Sequence, residues 1–271
     1  MFKKKTFKIQ KPSLILPLSL KNQKKDAALM ITKPTLFIHG YAGNYFSFGA
    51  MMHRFARQGY GKKESTIIVF PSGEVIVKGK QSSLIQVLFW ANRRNNVDDQ
   101  VMWLWKITNI LKYHYGISNI DLVSHSMGCV TALKYLNKFG YDQRVSQIDK
   151  VVTIGAPFND IEVGRRTPYI ENHPLTAHGP IQMSPLYQWM KKQNIGLPLN
   201  IKFLNIAGNL QNGTYSDGQV SVNSALSLRY LVKDVTKQYH ELIIKGRKAA
   251  HSLLHENQEV DSEIYHFLKD K

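Results

Sequence analysis

Cysteine is almost missing from this chain. Cys129 is the single one among 271 residues, which rules out an intrachain disulfide and a thiolate metal cage. Its place at an apolar helix start predicts a buried, unreactive side chain. Acidic residues are scarce as well: 19 Asp+Glu stand against 36 Lys+Arg, a formal net charge of +17. Such an excess suits contact with an anionic surface, or simply a solvated basic exterior. The lysines are scattered and no basic helix carries interleaved aromatics, so specific nucleic-acid binding is not expected.

Long apolar runs are also lacking, and none approaches the ~18 residues of a spanning helix. Lys3, Lys4 and Lys5 precede a short apolar stretch from Leu14 to Leu20. Pro17 interrupts it and no small-residue cleavage site follows, which makes it a weak export signal. Localisation therefore stays open between cytoplasmic and exported or surface-associated. No glycine-rich phosphate loop with a following Lys-Ser/Thr occurs, and no His-Glu-x-x-His spacing. The expectation is chemistry with no cofactor and no metal.

What the chain does hold is alternation. After a basic lead-in over 1–33, apolar strand-like runs take turns with helical patterns. Strands are expected at Thr35–His39, Thr66–Phe70, Ile120–Val123, Val151–Ile154, Ile201–Ala207 and Glu241–Ile244. Val75–Val77 and Leu84–Trp90 read as two more, paired as a hairpin with an edge strand. Helices are expected at Phe48–Gly59, Asp98–Tyr115, Met127–Phe139 and Leu253–Leu268. Strands spaced by helices of this length imply one doubly wound, mostly parallel sheet with helices on both faces. Ligands of such sheets sit at the carboxyl ends of the strands. The stretch 158–200 breaks the alternation and carries Met183, Leu186, Tyr187, Trp189 and Met190. It reads as a lid or cap insertion, or else as a helix packed on the sheet.

The chemistry-bearing residues lie at those strand ends. Ser124-His125-Ser126-Met127-Gly128 falls between an expected strand and an expected helix. A sharp turn there exposes the central hydroxyl and demands small residues two positions away on either side. Ser126 is thus the candidate nucleophile, with the helix N-terminus behind it favouring developing negative charge. His39-Gly40-Tyr41-Ala42-Gly43 follows the first strand, and its glycines let the backbone approach a ligand. The two oxyanion donors are expected to be the N–H groups of Met127 and Tyr41, with His39 bracing the loop.

Asp217, after a late strand, is the candidate acid, and Asp234 a weaker rival nearer a helix-to-strand connector. His251 and His255 compete as base. A base that must reach over the sheet edge favours the loop position, His251. The order Ser126, Asp217, His251 is that of α/β-hydrolases. The expected fold class is therefore α/β, of the α/β-hydrolase type.

Five segments strengthen that expectation. They are Phe37–Tyr41, Ser124–Gly128, Thr153–Asn159, Ser216–Val220 and His251–Asn257. Together they resemble a bacterial family of α/β-hydrolases of unknown function, of cell-surface hydrolase type and similar to small lipases and esterases. The likeness runs from about Thr35 onwards; Ser124 in place of glycine is its chief departure. It implies the same triad, acyl-transfer chemistry on a small acyl substrate, possibly lipid-like, and relatives that are often exported or membrane-anchored. A thioesterase, amidase or acyltransferase could use the same residues, and a non-catalytic binding protein could share the scaffold.

Overall fold

The computed structural model describes residues 33–270, apart from 81, 94–95, 162, 164–169, 194–196, 235 and 237. The basic lead-in, with its export reading, lies outside the described residues but for Lys33.

Eight strands form one sheet: β1 (Thr35–Ile38), β2 (Ser65–Val69), β3 (Val75–Gly79), β4 (Leu84–Phe89), β5 (Asn119–His125), β6 (Gln147–Ile154), β9 (Lys202–Asn209) and β10 (Gln238–Lys245). Their order is β10-β9-β6-β5-β1-β4-β2-β3. Every neighbouring pair is parallel except β2 with β3. Helices α1 (Gly49–Arg57) and α7 (Gln258–Lys269) cover one face, and α2 (Val97–Tyr115) and α3 (Met127–Phe139) the other. The pleat makes the division: Leu36 and Ile38 enter the α2–α3 core, while Phe37 between them enters the α1–α7 core. Burial on both faces explains why the strands read as continuous apolar runs rather than alternating ones.

Helix α2 begins and ends as its residues dictate. Asn96 accepts from the N–H of Asp98 at 3.1 Å, Asp98 and Asp99 occupy the positive end, and Gly116 closes it in the left-handed region at φ 70°.

Two expectations need correction. The hairpin joins β3 to β2, not to β4. All but one residue of β4 is buried, and it lies between β1 and β2, parallel to both, whereas β3 is exposed over its second half and takes the edge. The terminal helix starts five residues later than expected. A 3-10 turn, His251–Glu256, comes first, and then the Asn257 side chain accepts from the N–H of Glu259 at 2.9 Å to open α7.

Within 158–200 the structure describes a two-strand ladder, β7 (Leu175–Thr176) with β8 (Gly179–Pro180), and helix α4 (Pro185–Gln193). Tyr187 and Met190 are fully buried in the α2–α3 core, and the Tyr187 hydroxyl donates to Ser227 O at 3.0 Å. Asn159, just past β6, fastens the segment: its Nδ2 donates to Gln182 O and its Oδ1 accepts from the Ser184 N–H. Two short helices, α5 (Val222–Leu226) and α6 (Arg229–Val232), join the loop after β9 to β10.

Candidate active site

β5 ends at His125 and α3 begins at Met127, so a single residue must turn the chain. Ser126 does so at φ 54°, ψ −128°, a left-handed backbone that costs a non-glycine residue ~1–3 kcal/mol. Its own N–H donates to Ile154 O at 2.9 Å. The turn is tight: a Cβ on Gly128 would stand 2.7 Å from the carbonyl oxygens of Ile38 and His39. On the other side, Ser124 fits where a glycine is usual because its hydroxyl donates to Val152 O at 2.9 Å. A buried donor with a partner carries little penalty.

The loop after β1 crosses directly over this turn. A Cβ on Gly40 would come within 2.7 Å of Ser126 Cβ. His39 fixes the loop. Its Nδ1–H donates to Gly40 O at 2.7 Å, and its Nε2 accepts from the Phe89 N–H at 3.1 Å. That pattern requires the neutral ring, and burial lowers its pKa in the same direction. The N–H groups of Ala42 and Gly43 bond Asn92 O and Gly40 O, which folds the loop back on itself around Tyr41.

Asp217 follows β9. Its Oδ1 accepts from the N–H groups of Gln219 at 2.9 Å and Val220 at 2.7 Å, which leaves Oδ2 directed to His251 Nδ1 at 2.7 Å. The far side of that imidazole, Nε2, lies 2.9 Å from Ser126 Oγ. With Nδ1–H donating to the carboxylate, Nε2 keeps its lone pair for the serine proton. The backbones are joined as well, since His251 N–H donates to Asp217 O at 2.9 Å. Gly155, at φ 57°, clears space beside the pair: a Cβ there would sit 3.0 Å from Asp217 Oδ2 and 3.2 Å from His251 Nδ1.

The structure thus brings Ser126, Asp217 and His251 into one hydrogen-bonded line. Tyr41 and Met127 flank Ser126, on the covering loop and at the first turn of α3 respectively. The rivals lie elsewhere. Asp234 is exposed in the connector ahead of β10. His255 packs 4.9 Å from the His125 ring and 5.7 Å from Phe48.

Sequence reasoning set His125 aside, yet it touches His251. Its Nε2–H donates to His251 O at 3.0 Å, and the two rings lie 4.6 Å apart. Burial, together with the imidazoles of His251 and His255, holds the His125 pKa well below the ordinary histidine range, so the ring is neutral. Asp160 was missed too. It is buried after β6 and accepts from the Ser224 hydroxyl at 2.5 Å. Burial, with Glu171 and Asp217 nearby, pushes its pKa up to about 7. Gly208 is a third: a Cβ there would meet Ala249 O at 2.3 Å and Asp217 Cβ at 2.7 Å. A glycine inside a strand pattern was the available signal of that close approach. Cys129 is packed in the core, its thiol pKa pushed up to about 12 by burial.

With this geometry in view, comparison with known proteins becomes informative. The family model described as an alpha/beta hydrolase of unknown function (DUF915) matches residues 21–271. The chain belongs to this family. Among solved structures, this alpha/beta hydrolase is similar to the product of gene lin2722 from Listeria innocua, with 28% identity, a TM-score of 0.81, and 89% of this chain covering 95% of that one. It is also similar to a protein from Lactobacillus plantarum titled a candidate cell surface hydrolase, with 20% identity, TM-score 0.69, and 88% and 90% of the two chains covered. The esterase Pf2001 of Pyrococcus furiosus shares the fold at 15% identity and TM-score 0.51, over 90% and 84% of the chains. No curated protein matches. Among the described residues, no helix is long and apolar enough to cross a membrane, and no three potential metal ligands cluster.

Proposed function

We propose that this alpha/beta hydrolase is a serine hydrolase acting on carboxylic esters through an acyl-enzyme. The supporting observation is the imidazole of His251, set 2.9 Å from the Ser126 hydroxyl and 2.7 Å from the Asp217 carboxylate. A serine hydroxyl is a weak nucleophile until a fixed base can take its proton. As Ser126 Oγ bonds to the ester carbon, its proton passes to His251 Nε2 and the carbonyl oxygen becomes an oxyanion. Asp217 steadies the resulting imidazolium. The N–H of Met127 lies in the first turn of α3 and so has no acceptor within the helix. Together with the N–H of Tyr41 it is the pair suited to the oxyanion.

Collapse breaks the bond to the leaving alkoxide, which takes the proton from His251. Water then loses a proton to the same nitrogen, attacks the acyl-enzyme and releases the acid, restoring Ser126.

A fluorophosphonate probe provides the test. The protein should be labelled covalently at Ser126 and should cleave a short p-nitrophenyl ester. Ser126→Ala should lose the label and about 10³-fold or more in kcat. Full activity in that variant would overturn the reading.

A further inference from the structure

His251 is bonded twice to a single residue. Its N–H donates to Asp217 O at 2.9 Å, and its Nδ1 lies 2.7 Å from Asp217 Oδ2. Both bonds end on the loop after β9, and β6 separates β9 from β5 in the sheet. They fix the imidazole relative to Asp217, but not its distance from Ser126. Arg54 holds the far end of the same 3-10 turn, at His255 O. The 2.9 Å contact of Nε2 with Ser126 Oγ cannot set that distance throughout a reaction, because transfer of the serine proton breaks it.

His125 supplies a tie of another kind. It ends β5, where it pairs with Ile154 of β6, and Ser126 follows it directly. Its side chain crosses to the turn that carries His251: Nε2–H donates to His251 O at 3.0 Å, and the two rings stand 4.6 Å apart. The other edge of the ring meets the loop after β1, where a Cβ on Gly40 would stand 3.3 Å from Nδ1. One buried ring thus touches both the His251 turn and the Tyr41 loop, from the strand that ends in Ser126.

This bond to a backbone carbonyl takes part in no proton transfer. It persists while a proton moves from Ser126 to His251 Nε2 and on to a leaving group. The ionisable groups that face His125 are the imidazoles of His251 and His255 on the turn and of His39 after β1. A positive charge on His251 would further disfavour one on His125, so the ring stays a neutral donor.

We propose that His125 is a positioning residue: its hydrogen bond to the His251 carbonyl sets the distance between the His251 imidazole and the Ser126 hydroxyl. The proposal rests on the ester-hydrolase reading, in which that distance governs the rate.

Two variants separate the bond from the ring. His125→Phe keeps a ring and removes the donor, whereas His125→Gln removes the ring and keeps an N–H at a similar reach. Both are compared with the unaltered protein in fluorophosphonate labelling and in hydrolysis of a short p-nitrophenyl ester across pH. Thermal melts fix a temperature at which all three are folded. A misplacement of about 1 Å between reacting groups costs about 100-fold in rate. His125→Phe should therefore lower kcat and the labelling rate constant by about 10- to 100-fold with KM unchanged. His125→Gln should recover most of that loss. The midpoint of the acid limb of the pH profile should stay in place in both. If His125→Phe does not fold, His125→Met, which also lacks the donor, takes its place.

A donor-free variant as fast as the unaltered protein would overturn the proposal and leave the triad reading standing. So would a Gln variant as slow as the Phe variant, or a shifted midpoint at full plateau rate, which would mean that the ring tunes the basicity of His251. No label and no hydrolysis by the unaltered protein would sink the triad reading, and this proposal with it.

Discussion

Beneath Ser126, the α2–α3 face of the sheet is packed with hydrocarbon and aromatic rings, and its interior polar contacts are neutral, such as Thr131 on Gln100 and Thr108 with Tyr135. The α1–α7 face, behind His251, is laced with charge. Arg54 bonds both oxygens of the buried Asp261, reaches Glu256 at 3.0 Å and donates to His255 O at 3.1 Å. Ser126 is therefore held by backbone geometry between a strand and a helix. The imidazole is carried on a short 3-10 turn fixed by side-chain bonds to a helix far away in sequence. One half of the site is set by covalent chain and dry packing, the other by a polar network that single substitutions can cut.

Substitutions on each side separate these two kinds of support. The largest expected effect lies at the join between them. Asp217→Asn should lower kcat by about 10⁴-fold with little change in melting temperature, because an amide can bond the wrong tautomer of His251 while the packing survives. Steady-state kinetics beside a thermal melt would check this.

Next is Arg54→Ala. It strands the Asp261 carboxylate in the interior and should cost about 3 kcal/mol in urea unfolding, with kcat falling too as the His251–Glu256 turn loosens. If stability fell but kcat held, the polar face would support the fold and not the position of His251.

Asp160 gives a smaller effect with a defined sign. Its folded pKa is raised to about 7 from 3.8, so the folded state holds a proton that the unfolded chain has released. Stability on this account is present below about pH 4 and lost as pH rises to about 7, by at most about 4 kcal/mol. Asp160→Asn keeps an acceptor for Ser224 and should flatten that fall, as read from unfolding midpoints between pH 5 and 8. The smallest effect belongs to the dry side. Ser124→Gly removes one hydroxyl bond to Val152 O and should cost about 1 kcal/mol, with activity within about twofold.

Much of the scaffold was legible because its signals are local. The runs at Thr35–His39 and Ile120–Val123 are apolar on both faces and end at turns, so the parallel sheet follows from them directly. Ser126, Asp217 and His251 could be singled out because each follows a strand, and topology sends all strand ends to one edge. The hairpin was misassigned because the lengths of β3 and β4 carry no information on which strand inserts between β1 and β2; burial on both faces decides that. The start of α7 was misplaced because Leu253 and Leu254 continue an apolar helical pattern through a turn that Asn257 ends. Asp160 and His125 acquire their surroundings entirely from residues distant in sequence, Ser224 for one and His251 for the other, so no spacing could reveal them.

Lys150 offers a last consequence. Its buried ammonium reaches up from β6 to the carbonyl oxygens of Phe267 and Leu268, each at 2.9 Å, and to that of Asp270. All three acceptors lie at the carboxyl end of α7, far in sequence from β6. A chain cut short before Phe267 would leave an interior cation with nothing to receive its protons, at a cost comparable to a large share of a domain's total stability. Fraying of the last turn of α7 would thus be felt inside the sheet, well away from where it occurs.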